Sequence, residues 1–137
     1  MIVVDSNIIA YCWVNGPLTA LAQSVRVKDP DWHVPILWRS EMRSILAGYL
    51  RDGSLGGSQI SRVMDAAESA LAGSEHLVPS ASVFEIAEKS PLSGYDCEFI
   101  VLASVLAVPL VTVDKAVLKA FPQQAVTMEA FLKRSVK

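Results

Sequence analysis

Soft metal ligands are scarce in this 137-residue chain, which holds two cysteines and two histidines. Cys12 and Cys97 stand at no recognised metal or disulfide spacing, so free buried thiols in a reducing compartment are expected. Charge is scarce as well: 19% of residues are charged and the net is −2, which leaves no global positive field to draw the chain onto nucleic acid or an anionic membrane. Any phosphate binding must therefore be local. The longest apolar run, Phe99 to Val113, is broken by Pro109 and is too short to span a bilayer. The opening residues have no basic leader and reach Asp5 at once, which speaks against a signal peptide and for a soluble, cytoplasmic protein. No Walker A loop occurs and no G-x-G-x-x-G follows the first apolar run, which disfavours a glycine cradle for nucleotides. Low-complexity tracts are lacking too.

What the chain does have is core material, with 52% hydrophobic residues. A single domain, 1–137, of this length buries roughly two thirds of the surface its unfolded form exposes. Met1-Ile2-Val3-Val4 has no polar alternation, as expected of a central parallel strand covered on both faces. It ends on Asp5, and Ser6-Asn7 open a helix, so Asp5 is either a plain helix cap or an acid placed at a strand's carboxyl tip. A helix is expected over Leu18 to Lys28, a brief strand at His33-Val34-Pro35, and a helix from Ile36 to Arg51. In that helix Trp38, Met42, Ile45, Leu46 and Tyr49 fall within about 120° of arc at about 100° per residue. Glu41 lies at the edge of the apolar stripe, with Ser44 and Gly48 on its flank, a placement that suits a solvated surface acid or a ligand-facing one.

The loop from Asp52 to Gly57 leads to a helix over Ser58 to Leu71. Glu75 to Pro79 echoes His33-Val34-Pro35, and each proline is followed six residues later by a glutamate, Glu41 and Glu85; Glu85 is read as a decoy. Ser80-Ala81-Ser82 should cap a helix through Glu88. Tyr95 to Lys115 then combines a buried helix with a buried strand. Asp96 sits in the helix's first turn, while Glu98 is turned about 200° away and is assigned to a cation elsewhere. On the strand Pro109–Val113 and beyond it, Thr112 and Asp114 point the same way, because strand side chains repeat every two residues. A short helix to Phe121, a strand at Ala125 to Thr127 and a helix from Met128 to Arg134 complete the chain. Strands alternating with helices predict a three-layer α/β/α sandwich around a central parallel sheet.

Asp5 and Asp114 thus stand at strand tips, and Glu41 and Asp96 on helices that begin near such tips. In an open α/β sheet that end is where ligands bind. Gathered there, four carboxylates repel one another unless a cation intervenes. All-oxygen ligation suits magnesium or manganese, as one ion or two, rather than zinc. Two such ions about 3.5–4 Å apart position a water and stabilise phosphodiester oxygens during in-line displacement.

At these residues the chain resembles the PIN-domain family, most closely the VapC-type toxin ribonucleases of toxin-antitoxin pairs. VVDSNIIA, SEMRSIL, YDCEFIVLA and LVTVD each resemble a family motif, in the family's order, and together span essentially the whole chain. The resemblance implies a metal-dependent endoribonuclease, a hydrolase whose acidic quartet Asp5, Glu41, Asp96 and Asp114 holds magnesium or manganese. Thr112 takes the place of the supporting hydroxyl, and Asn7 that of the small polar residue beside the first acid. It also implies a homodimer and a small antitoxin protein whose tail enters the site, with Ala81, Val83, Phe84 and Ala87, or the helices between Leu18 and Leu71, as contact candidates. Arg39, Arg43 and Lys115, near Glu41 or Asp114 in sequence, are candidate contacts for RNA phosphates, with plain solvation as the alternative. Trp13, Trp32 and Trp38 are assigned to core or dimer packing ahead of base stacking. Three other readings remain: a housekeeping RNA-processing nuclease, a non-catalytic RNA- or protein-binding module whose acids only cap helices, and a phosphatase with Asp5 as nucleophile.

Overall fold

Strand β1 (Ile2–Val4) is buried at every residue, and its side chains divide the molecule. Ile2 and Val4 point to one face and Val3 to the other, as the two-residue repeat of a strand requires. The computed structural model describes residues 1–135. From β1 the chain runs through α1 (Ser6–Trp13), α2 (Thr19–Lys28), β2 (Trp32–Pro35), α3 (Trp38–Arg51), α4 (Gly57–Leu71) and β3 (Glu75–His76). It continues through α5 (Ser80–Lys89), α6 (Gly94–Leu106), β4 (Leu110–Val111), α7 (Lys115–Ala120), β5 (Ala125–Val126) and α8 (Met128–Lys133).

The strands form a five-stranded sheet in the order β3-β2-β1-β4-β5, and every pairing is parallel. On the face of Ile2 and Val4 the core is built from Ile8 and Ile9 of α1, Ala22 and Val25 of α2, Trp38 and Met42 of α3, with Ala67 and Phe131. On the face of Val3 it is built from Phe99, Ile100 and Ala103 of α6 and Val117 of α7, with Val83 and Ile86 of α5 against them. This is the three-layer α/β/α sandwich with a central parallel sheet. Among the described residues no helix is long and apolar enough to cross a membrane. The expected single domain, 1–137, includes residues 136 and 137, which lie outside the described residues.

The strands are shorter than their apolar runs. β4 covers two residues of the run from Pro109 to Val113, because Val113 and Asp114 leave the ladder and bend into α7. Helix α5 starts from Pro79 with no side-chain cap, whereas Ser80 to Ser82 lead the sequence expectation; the serines lie inside the first turn. Cys12 and Cys97 are both buried free thiols. Trp32 and Trp38 are buried, and Trp13 meets Trp32 edge to face at 6.1 Å, so the indoles are core elements.

Edge strand β3 is pinned from both sides of the sheet. Glu75 accepts from Trp38 Nε1 at 2.6 Å and from Arg39 Nε and Nη2 at 2.6 and 2.8 Å. Across the sheet His76 Nε2 meets His33 Nδ1 at 2.8 Å, and His33 Nε2 lies 2.8 Å from Asp31.

Helix α6 closes on Ala107, a non-glycine residue at φ 56° in the left-handed region. A Cβ there costs about 1 kcal/mol, while glycine returns part of that through its freer unfolded chain. Ala107→Gly is therefore expected to stabilise the fold by about 0.5 kcal/mol in urea titration. A lowered midpoint at unchanged slope would contradict the assignment.

Candidate functional site

The order β3-β2-β1-β4-β5 reverses its direction of winding between β1 and β4. Parallel sheets open a crevice beyond their carboxyl ends at such a switch point. Asp5 follows β1 directly, and Thr112 and Asp114 follow β4, so the crevice is edged by these three residues. The four acids share a local device as well. Asp5 caps α1, Asp114 caps α7, Glu41 lies in the first turn of α3, and Asp96 in that of α6. Four helices thus begin around one point, and their positive dipole ends offset part of the carboxylate charge.

All four acids line one cavity of about 300 Å³, together with Ser6, Asn7, Ser44 and Thr112. Ile45, Phe99, Leu110 and Val117 supply its apolar floor. The two readings of Asp5 turn out to be compatible. Its Oδ1 caps the helix, accepting from Ile8 N at 3.1 Å, while Oδ2 accepts from the Thr112 hydroxyl and from Val113 N at 3.2 Å. Thr112 Oγ1 in turn accepts from Asp114 N at 3.0 Å, tying the two strand tips together. Asp114 Oδ1 accepts from Ala116 N and Val117 N at 2.8 and 3.2 Å. The α6 start is fixed by Ser93 Oγ, which accepts from Asp96 N at 3.1 Å. Glu41 Oε1 accepts from the Ser6 hydroxyl at 2.8 Å.

Crowding shows in the proton affinities. Burial pushes the Asp5 carboxyl above its ordinary value, and Asp114 adds to the rise. Burial raises Glu41 too, with Asp96, Asp5 and Glu98 adding repulsion, and it raises Asp96 with help from Asp114. A pocket that disfavours its own ionised acids is a pocket that gains from a cation. The donors are carboxylate and hydroxyl oxygens, with no histidine or cysteine on the wall, which fits a hard divalent ion such as magnesium or manganese. The acids line this wall without closing into a cage: among the described residues no three His, Cys, Asp or Glu side chains form a ready-made metal cluster.

The expectations for Arg39 and Glu98 need correction. Arg39 is not free to meet phosphate, since its guanidinium is committed to Glu75 and, through Nη1 at 2.7 Å, to Glu68. It points away because it lies two residues from Glu41, about 200° around the helix. Arg43 and Lys115 are exposed and lie off the cavity wall. Glu98 has no ion pair among the described residues, against its assignment to a cation elsewhere; burial raises its pKa, and its charge acts on Glu41. Glu85 is exposed on α5 and does not line the cavity. Ser6 was legible as a helix-start residue but not as the partner of Glu41, a contact that spans 35 positions.

No family model matches this chain, and no curated protein does. Its fold is similar to the crystal structure of PAE2754 from Pyrobaculum aerophilum, with a TM-score of 0.76 over 96% of this chain and 92% of that one. The two sequences are 20% identical, so the likeness shows the fold alone.

Proposed function

We propose that this chain is a magnesium- or manganese-dependent endoribonuclease of the PIN-domain family, acting as a VapC-type toxin that hydrolyses RNA phosphodiester bonds. One observation carries the reading: Asp5, Glu41, Asp96 and Asp114, from four different helix starts, line a single cavity at the sheet's switch point. A bound divalent ion supplies the positive charge that acidifies water and neutralises a phosphodiester. Asp5 is oriented by Thr112 and by two main-chain N–H groups, which between them hold both of its carboxylate oxygens at the cavity wall. Asp114 is fixed in the same manner by the first turn of α7. Glu41, held by the Ser6 hydroxyl, and Asp96, in the first turn of α6, complete the set of acids that would hold the ion.

Lys115 and Arg43, exposed and without an ion pair among the described residues, take the substrate's remaining phosphates in this reading. Leu77 and Phe84, 86% and 69% exposed, offer apolar surface for an antitoxin or a second copy. The test is cleavage of RNA by the purified chain in magnesium, manganese and chelator. Cleavage is expected with either ion, none in chelator, and a loss of more than about 100-fold in Asp96→Asn at unchanged circular dichroism. Full activity in chelator would refute the proposal.

A further inference from the structure

Three of the four acids are set by main-chain amides or by a side-chain cap at their own helix start. Asp5 accepts from the amides of Ile8 and Val113, Asp114 from those of Ala116 and Val117, and Asp96 is placed by the Ser93 cap. Glu41 differs. Among the described residues its carboxylate makes one hydrogen bond, from the hydroxyl of Ser6. Ser6 is 5% exposed at the first position of α1, directly after Asp5, so the bond crosses from one acid's helix to another's.

A glutamate's terminal torsion is broad, and only a specific donor fixes the plane of its carboxylate. With Asp5, Asp96 and Glu98 all repelling Glu41, the unheld carboxylate would swing to wherever the field is weakest. The Ser6 hydroxyl opposes that swing by binding Oε1, which leaves Oε2 as the oxygen with no hydrogen bond among the described residues. We propose that Ser6 is a positioning residue, whose hydroxyl holds Glu41 with one oxygen presented to the cavity for a divalent cation. The inference rests on the reading of this cavity as a magnesium or manganese site.

It is tested by titrating manganese into the full chain and following binding by calorimetry and by the ion's paramagnetic resonance, which need no RNA and no turnover. Ser6→Ala is expected to weaken manganese binding on the order of 10-fold, as loss of a ligand's orienting partner does. Ser6→Thr, which keeps the hydroxyl, should bind like wild type, and Ser6→Cys, near in size with a poor donor, should bind like Ser6→Ala. In a Glu41→Ala background Ser6→Ala should have no further effect, because the route runs through Glu41. Wild-type affinity in both Ser6→Ala and Ser6→Cys, or an equal loss with Glu41 absent, overturns the positioning role while leaving the metal site standing. A wild-type chain that binds no manganese overturns both.

Discussion

In chelator at neutral pH, Glu41→Gln is expected to melt several degrees above the wild-type chain, and in magnesium to cleave RNA more than about 100-fold more slowly. The gain in stability follows from the sign of a pKa shift. Burial, then repulsion from Asp96, Asp5 and Glu98, raises the Glu41 carboxyl above its ordinary 4.5. Between 4.5 and the folded value the folded chain holds a proton that the unfolded chain has released, and stability falls as pH rises through that window. Asp5 and Asp96 shift in the same direction, so their contributions add. Glutamine keeps a carbonyl for the Ser6 hydroxyl, while removing the charge that the cavity disfavours. Melting curves from about pH 5 to about pH 8 would check this, with the variant's advantage growing until pH passes the folded value and level beyond it. Magnesium should reverse the ranking, because an ion at 100 times its Kd stabilises the wild type by about 2.7 kcal/mol. A variant that melts below wild type in chelator would mean that the acids are not crowded as described.

Trp38→Ala should be the most destabilising single change, costing about 3–5 kcal/mol and lowering the melting temperature by roughly 10–20 °C. Trp38, the first residue of α3, is fully buried. Its indole N–H donates to Glu75 at 2.6 Å, so the same side chain fills the core and binds edge strand β3. Trp38→Phe separates these roles, keeping a ring but losing the donor, at about 1.5–3 kcal/mol for a bond to a charged group. Here the pH dependence has the opposite sign. The Arg39 guanidinium, helped by Trp38, holds Glu75 below its ordinary 4.5. Stability from the ionised Glu75 is present above 4.5 and is lost as pH falls through the folded value, so the gap between wild type and Trp38→Phe should narrow in acid. Denaturant titrations at neutral and acid pH would show it. A gap independent of pH would remove Glu75 from the account.

The fold, and the position of the four acids near strand ends and helix starts, were legible because they obey local rules; choosing these four as a set rested on the resemblance to family motifs. An apolar β-branched run that ends on an acid and turns into a helix puts that acid at a strand tip, as Asp5 shows. The 3.6-residue repeat separated Asp96 from Glu98 and set Glu41 at a stripe edge. Side-chain partners were not legible, since they depend on strand order. Arg39 looked free because Glu75 lies 36 positions away on an edge strand whose neighbour only the folded sheet defines. Glu98 was expected to pair with a cation because helical angle gives direction but not company. The short strands were hidden for a related reason: apolar sequence reports burial, and Val113 is part of the apolar run without belonging to the ladder.

The central strand β1 is hydrogen-bonded on one side to β2, early in sequence, and on the other to β4, through Val3↔Leu110 and Val4↔Val111. A chain emerging from the ribosome thus presents Asp5 and Glu41 long before Asp96, Thr112 and Asp114 exist to face them. Pairings this distant in sequence form late, because the intervening loop must be closed before they return any energy. Co-translational folding therefore leaves the cavity with only two of its four acids until residues beyond 114 have been added.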